Sequence, residues 1–209
     1  LGLLALVLLV IVGVTRHQKN KAVSADSPVT LSEVDENRPE LDVELLTVNP
    51  YSRPGTALEK VNGIVIHYTA NPGATAIANR NYFENLKDTH TTKASSHFVV
   101  GLEGEIVQCI PTAEIAYASN DRNSDTISIE CCYKNEDGSF EQATYDSVIK
   151  LTAWLCAKFG LTSEDVIRHY DVTGKLCPLY YVEHEDAWAQ FKKDVDTYLQ
   201  VYKTGDENG

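Results

Sequence analysis

Residues 168–178 read RHYDVTGKLCP, and the interpretation of the whole chain starts from this stretch. It contains a histidine (His169), a lysine (Lys175) and a cysteine (Cys177) within eleven positions. The histidine and the cysteine are eight residues apart, too far to meet as an i, i+4 pair on one helical face, and Gly174 between them lets the chain fold back. The stretch therefore predicts a loop that presents two soft ligands to one point.

An imidazole nitrogen and a thiolate are typical ligands of zinc. A catalytic zinc site has three protein ligands and a water molecule in the fourth position, so a third ligand must come from elsewhere in the chain. His67 is the best candidate because it ends the apolar run of GIVIHYTANPG, where a strand would direct its ring over the edge of a sheet. Each residue alone would more often be a packed or hydrogen-bonded side chain, but the combination predicts a metal site.

A glutamate within TISIECC, residues 126–132, is a further candidate. Isoleucines alternate with other residues there, which is typical of a strand with one buried face. Because a carboxylate in mid-strand is costly to bury, Glu130 lies either on a wet face or at a site. The residues alone leave these two interpretations open.

The rest of the chain alternates between strand and helix patterns. Strands are predicted over 61–69, 95–100, 105–110 and 126–132, and the second and third form an antiparallel hairpin. Helices are predicted over 75–87, 144–159 and 185–202. In the first of these helices Ile77, Phe83 and Leu86 are expected to form the apolar side. Since strands and helices interleave without internal repeats, we expect a single α/β domain with a mixed central β-sheet flanked by helices.

The amino-terminal residues differ in composition from the rest. Residues 1–14 are apolar without interruption, a basic cluster follows within 15–21, and the chain begins with Leu and contains no Met. A helix needs about 20 residues to span a bilayer. We therefore expect residues 1–15 to be a truncated transmembrane signal anchor, with a cleaved signal peptide and secretion as the alternative.

The segment after the apolar run is polar. Residues 16–48 are rich in Ser, Asp, Glu and Asn and are predicted to be an extracytoplasmic linker. The folded domain is expected over 49–203, with a disordered tail at 204–209. The basic cluster mildly opposes an outward-facing domain under the positive-inside rule. We nevertheless expect a single-pass protein of the cell membrane with its catalytic domain outside.

Charge and cysteine content exclude two classes of protein. A formal net charge of −12 and the lack of a basic stripe exclude a nucleic-acid partner. Five cysteines are an odd number, so a fully paired disulfide framework is excluded as well. The cysteines outside the motif lie in apolar stretches, and we expect them to be buried free thiols. They are Cys109, Cys131, Cys132 and Cys156.

The chain resembles the type 2 N-acetylmuramoyl-L-alanine amidases in four segments taken in order, IHYT, SSHFVVGLEGEIVQ, ISIE and RHYDVTGKLCP. These are zinc enzymes related to phage T7 lysozyme and to the peptidoglycan recognition proteins. The resemblance covers roughly residues 49–202, and its most specific part is the His–x7–Cys pair. It implies a T7 lysozyme-like fold, one zinc ion, and bacterial peptidoglycan as substrate, cut between N-acetylmuramic acid and the L-alanine of the stem peptide. A monomer is expected.

The resemblance also implies roles for individual residues. His67, His169 and Cys177 match the zinc ligands of the family. Lys175 matches the lysine that stabilises the tetrahedral intermediate. Glu130 matches a strand glutamate that is the general base in some branches, which favours the site interpretation of this carboxylate.

The chain departs from the T7 lysozyme pattern at one position. In that branch a catalytic tyrosine directly precedes the histidine of a YHF motif, whereas here Ser96 precedes His97. A serine cannot act as a phenol, so this role must pass to Glu130 or be absent. We expect Ser96, His97 and Asn71 to line the substrate cleft. We also expect Asp171 to fix the tautomer of the zinc-ligand histidine two residues before it.

Two other functions stay open. The first is a catalytically inactive peptidoglycan-binding module of the same fold, which Ser96 favours and the intact set of candidate ligands opposes. The second is a metallopeptidase that cuts within the stem peptide, because the same metal chemistry would serve that reaction.

Overall fold

The β-strands and helices alternate along the chain in the order that the sequence predicts. The structure, a computed structural model, describes residues 31–204 and the side chains of residues 34–202. The predicted membrane segment at 1–15 and nearly all of the predicted tail at 204–209 lie outside the described residues. Within residues 31–204, no helix has the length and the apolar character needed to cross a bilayer.

The described residues contain six strands and seven α-helices. The strands are β1 (Asp42–Val43), β2 (Gly63–Tyr68), β3 (Phe98–Val100), β4 (Ile106–Gln108), β5 (Thr126–Cys131) and β6 (Val166–Arg168). The helices are α1 (Leu31–Glu36), α2 (Ala76–Thr89), α3 (Gln142–Phe159), α4 (His169–Thr173), α5 (Leu179–Glu183), α6 (Glu185–Leu199) and α7 (Val201–Thr204). Two 3₁₀ turns are formed by Asn120–Arg122 and Ser163–Asp165.

The strands form one mixed sheet in the order β1-β4-β3-β5-β2-β6. Strands β3 and β4 are antiparallel and form the predicted hairpin, while all other neighbours are parallel. The expected mixed α/β domain is thereby confirmed. Because β2, β5 and β6 run parallel side by side, their carboxyl ends meet at the same edge of the sheet.

Both faces of the sheet are buried, as is usual for central parallel strands. One face carries the isoleucines of β2 and β5 and is covered by α3 and α6. The other face carries Val99 and Val107 and packs against Phe83 of α2. Side chains alternate along a strand, so His67 and Glu130 belong to this second face. Their backbones are thus fixed by strands packed on both sides.

Helix α2 begins and ends at residues suited to those positions. The Thr75 hydroxyl accepts the backbone N–H of Ala78 at the first turn, and His90 follows the helix with φ 56°. Phe83 and Leu86 are buried as predicted, but the prediction for Ile77 is wrong, because its side chain is 43% exposed. The buried positions of the helix are Ala76, Asn79, Phe83 and Leu86. Ile77 falls outside this stripe.

The predicted linker at 16–48 is wrong for the part that the structure describes. Val34 and Leu46 are buried, and α1 and β1 lie within this segment. The Arg80 guanidinium of α2 donates to two backbone carbonyls of residues 44 and 45, each at 2.9 Å. The segment is polar on average, but a few apolar anchors and a two-residue edge strand are enough to hold it on the domain. The domain therefore begins before residue 49.

The stretch RHYDVTGKLCP is more regular than the predicted loop. Strand β6 ends at Arg168, His169 begins the short helix α4, and only the residues after Thr173 are irregular. Gly174 has φ 79°, which lets the chain turn back as expected. The backbone N–H of Tyr170 then donates to the carbonyl of Cys177 at 2.9 Å, closing the turn.

Candidate metal centre

The site lies at the carboxyl ends of three adjacent strands. His67 is the last residue but one of β2, and Glu130 is the last but one of β5. These two residues are direct partners in the parallel pairing, so their side chains project from the same face. His169 directly follows β6 on the other side of β2. The sheet thus fixes both imidazoles and the carboxylate at one edge.

His67, His169 and Cys177 meet at this edge, as the sequence led us to expect. One potential ligand atom of each lies within 4.8 Å of the other two. The Cys177 Sγ is 3.9 Å from the His67 Nδ1, and the two imidazole ring centroids are 4.7 Å apart. Around a tetrahedral zinc ion with bonds of about 2.0–2.3 Å, ligand atoms lie roughly 3.3–3.6 Å apart, so a small inward movement completes the site.

The protonation states of this cluster suit a soft divalent cation. Burial, assisted by the neighbouring His169 and Lys175, lowers the pKa of His67 well below its ordinary value. The pKa of His169 is also lowered by burial and then by Lys175. Both rings are therefore held in the neutral form that binds metals. Burial and the nearby Glu130 raise the pKa of the Cys177 thiol to about 12, so a thiolate there requires a cation beside it.

Two residues that the sequence analysis missed contact these imidazoles. The Ser119 hydroxyl lies 3.2 Å from the His67 Nε2, and the Asn120 Oδ1 lies 3.0 Å from the His169 Nε2. Both belong to ASNDRN, residues 118–123, a polar cluster that predicts only a turn. The signal that the sequence offered for a role at the site was the position of this cluster, between the predicted hairpin and the strand of Glu130.

Glu130 and Lys175 lie beside the three candidate ligands. The Glu130 Oε2 atom is buried and has no hydrogen-bond partner among the described residues. Burial raises the pKa of this carboxyl to about 8, against the opposing effect of the Lys175 ammonium. Lys175 is exposed and lines the same cleft. A carboxyl group poised near neutral pH and an ammonium group therefore face one space.

The cleft has a volume of about 380 Å³ and is lined by all five of these residues. Its other walls are formed by Thr69 directly after β2, Phe83 of α2, and two segments that include Lys93 and Tyr117. The Lys93 ammonium lies over the Tyr117 ring, 5.5 Å from its centroid. The two lysines make the cleft locally cationic in a chain whose formal net charge is −12.

Three residues expected to line the cleft lie elsewhere. Ser96 and His97 are buried, and the Ser96 hydroxyl lies 2.9 Å from the carbonyls of Phe98 and Ser128. The His97 Nδ1 accepts the backbone N–H of Ser128 at 3.0 Å, and its Nε2 lies 2.8 Å from the carbonyl of residue 114. Asn71 is exposed in the turn after β2. Ser96 and His97 connect strands and loops beneath the site.

Asp171 also differs from its predicted position. Its carboxylate accepts hydrogen bonds from the backbone and the guanidinium of Arg168 at 2.8–3.1 Å. It therefore caps the start of α4, and the nearby arginine keeps its pKa below the ordinary value despite burial. The histidine partner predicted at Asp171 is instead Asn120, because α4 directs the carboxylate back toward β6.

Two imidazoles, a thiol and a carboxylate at one edge of a mixed sheet define a candidate zinc hydrolase domain. Residues 57–179 match the sequence model of the family described as N-acetylmuramoyl-L-alanine amidase (Amidase_2). The chain belongs to this family, which confirms the resemblance inferred from its motifs.

Individual relatives agree with this assignment. The chain is similar to the N-acetylmuramoyl-L-alanine amidases CwlL of Bacillus licheniformis, with 39% identity over 165 residues, and BlyA of Bacillus subtilis, with 36% over 171 residues. These matches cover 73% and 72% of this chain and 45% of each relative, so the chain spans about half their length. The solved catalytic domain of XlyA has 30% identity and a TM-score of 0.63, covering 75% of this chain and 99% of that domain.

Proposed function

We propose that the chain is a zinc-dependent peptidoglycan hydrolase that cleaves the amide bond between N-acetylmuramic acid and the L-alanine of the stem peptide. The observation that carries the proposal is the meeting of His67, His169 and Cys177 beside Glu130, whose buried Oε2 has no hydrogen-bond partner among the described residues, in a member of this family. The names of its relatives support the same activity.

The proposed mechanism assigns a separate task to each group. His67, His169 and Cys177 would hold zinc, which when bound supplies Lewis acidity toward the scissile carbonyl and its water. Glu130 takes a proton from the attacking water and returns it to the departing nitrogen of alanine. Lys175 faces the carbonyl oxygen and stabilises its developing negative charge, an effect worth about 3 kcal/mol in comparable sites. The products are a lactyl carboxylate and a free alanine amine.

Metal content tests the ligand set directly. We expect the purified wild-type protein to contain about one zinc ion per chain, and the Cys177→Ala variant to lose most of it together with activity, since one of three ligands is gone. Cys156→Ala is the matched control because Cys156 is also a buried free thiol, on α3 rather than at the cleft. Equal zinc content in the three proteins would refute the proposed site.

Product analysis separates the proposed reaction from the two alternatives. We expect mass spectrometry of digested peptidoglycan to show stem peptides with a free amino-terminal alanine and muramic acid with a free lactyl carboxylate. Fragments cut within the stem would indicate a metallopeptidase. Binding without any product, at full zinc occupancy, would indicate an inactive wall-binding module.

We also propose that the protein is a monomer held at the cell membrane by residues 1–15, with its catalytic domain outside the cell. The apolar run of the sequence supports the anchor. We expect the 209-residue chain to fractionate with membranes and to be accessible to protease from outside, whereas a chain that lacks residues 1–30 should not sediment with membranes. Sedimentation velocity of the shorter chain tests the monomer.

A further inference from the structure

We propose that Ser119 and Asn120 are positioning residues that fix the orientation of both candidate zinc-binding histidines and, through Asn120, the tautomer of His169. This inference rests on the proposed zinc site. The segment Ala118–Asn123, here called the positioning loop, contacts both imidazoles through two consecutive residues. One short loop thereby determines how two distant parts of the chain face each other.

The contacts identify which nitrogen of each ring is free for a metal. The Ser119 oxygen and the Asn120 amide oxygen each lie within hydrogen-bond distance of an Nε2 atom, at 3.2 and 3.0 Å. An amide oxygen can only accept, so the His169 Nε2 carries the proton and its Nδ1 holds a lone pair. The His67 Nδ1 lies 3.9 Å from the Cys177 Sγ, on the side away from Ser119. We infer that both rings offer Nδ1 to a metal.

The positioning loop is held in place by its own contacts. The Asn123 side-chain oxygen accepts the backbone N–H groups of Ala118 and Ser119 at 3.0 and 2.6 Å. The Thr126 hydroxyl donates to the carbonyl of residue 122 at 2.6 Å, which joins the end of the loop to β5. The loop therefore continues directly into the strand that carries Glu130. Its geometry is coupled to the general base as well as to the imidazoles.

Asn120 has a backbone conformation that restricts which residue can stand there. Its φ is 51°, in the left-handed region, where Gly, Asn and Asp are favoured over other residues. Of these three, Asn and Asp also provide a side-chain oxygen for the histidine. Ser119 is buried at 1% exposure, so its hydroxyl has little access to water as an alternative partner. Asn120 therefore meets two requirements, a left-handed backbone and an acceptor oxygen. The buried Ser119 hydroxyl has the His67 imidazole as its partner.

The test compares variants that remove the acceptor without straining the backbone. In Asn120→Gly the left-handed conformation is retained and the oxygen is lost. The control is His90→Gly, which also places glycine at a left-handed position, φ 56° after α2, and His90 is not among the residues that line the cleft. Asn120→Asp retains the oxygen. The readouts are the zinc Kd, measured by competition with a chelator, and the visible spectrum of the Co²⁺-substituted protein.

We expect Asn120→Gly and Ser119→Ala each to raise the zinc Kd by roughly 10- to 100-fold, the usual effect of losing such a partner. Asn120→Asp should weaken zinc binding much less, and His90→Gly should leave the Kd unchanged. The Co²⁺ spectrum of Asn120→Gly should shift at saturating metal, which a loss of folding stability alone would not cause.

Two results would overturn the inference. One is a wild-type zinc Kd and Co²⁺ spectrum in both Asn120→Gly and Ser119→Ala. Another is an equal increase of the Kd in His90→Gly. If Asn120→Gly does not fold, Ser119→Ala alone decides by the same readouts. A wild-type protein that binds no zinc would instead refute the proposed function, so the two failures are distinguishable.

Discussion

Glu130 is a carboxyl group in a place where burial opposes its negative charge. Residue chemistry identified both histidines and Cys177 as candidate ligands, because imidazole and thiolate groups in such a pattern are typical of a zinc site. It left Glu130 open between a wet face and a site, and the family resemblance favoured the site. Residue chemistry did not identify Ser119 and Asn120, because serine and asparagine occur in most turns for local reasons. Only the fold shows that this particular turn contacts the imidazoles.

The burial of Glu130 predicts that its ionised carboxylate, which the proposed reaction needs, lowers the free energy of unfolding of the domain. Its pKa rises from 4.5 to about 8 on folding, so the zinc-free native state binds more protons than the unfolded state in this range. The stability that the protonated Glu130 contributes is then fully present below about pH 4.5 and is lost as the pH rises through about 8. We expect Glu130→Gln to be as stable as wild type at pH 5 and more stable at pH 8.5, on the order of 3 kcal/mol.

Urea denaturation of zinc-free proteins measures this difference. The same variant should lose activity by about 10²- to 10⁴-fold, because Glu130 is the proposed general base. Glu103→Gln, in the exposed turn of the hairpin, is the control and should change stability by less than about 0.5 kcal/mol at either pH. Equal stability of wild type and Glu130→Gln at pH 8.5 would contradict the burial argument.

At the scale of elements, helices and strands with a strongly periodic sequence were predicted well. Helix α3 is followed by Gly160, whose φ of 67° is the left-handed conformation that closes helices, and the hairpin of β3 and β4 was clear from its glycines. The amino-terminal segment was mispredicted because α1 and β1 are short. Their stability comes from contacts that are remote in sequence, those of α1 with α3 and of β1 with β4, which local patterns cannot reveal.

Leu46 tests whether this segment is part of the folded domain. Its side chain is 1% exposed and packs with Ala76 and Phe83, whereas the adjacent Leu45 is 37% exposed. We expect Leu46→Ala to lower the free energy of unfolding by about 2–4 kcal/mol, since it leaves a cavity. Leu45→Ala should cost less than about 1 kcal/mol. Thermal or urea unfolding measures both changes in the free energy of unfolding. Similar small changes in the two variants would show that the segment contributes little to the stability of the domain.

At the scale of the whole molecule, the mixed sheet with helices on both faces follows from interleaved patterns, but the strand order does not. The sequence gives no sign that β5 inserts between β3 and β2, because that order depends on long-range pairing. It was therefore impossible to foresee that His97, two strands away from His67, would lie beneath the site.

His97 predicts how the stability of the whole domain depends on pH. It joins β3, β5 and the segment at residue 114, and burial lowers its pKa from 6.5 to about 4. The unfolded state then binds more protons than the native state. The stability that neutral His97 contributes is therefore present above about pH 6.5 and is lost as the pH falls through about 4. We expect His97→Gln to be less stable at pH 7 by about 1–3 kcal/mol.

The difference in free energy of unfolding between wild type and His97→Gln should decrease by up to about 3 kcal/mol toward pH 4, because wild type alone loses the contribution of the neutral imidazole. Urea unfolding at pH 4, 5.5 and 7 measures it. A difference that stays constant over this range would show that His97 is not held in its neutral form.

The pairing of His67 with Glu130 across β2 and β5 limits how this domain can change during evolution. Inserting or deleting one residue within either strand would turn every following side chain to the opposite face, so the imidazole or the carboxylate would point into the layer of α3 and α6. Length changes in the turns between elements have no such effect. Variation in chain length among relatives should therefore be confined to those turns, and the two strands should keep a constant number of residues before their reactive side chains.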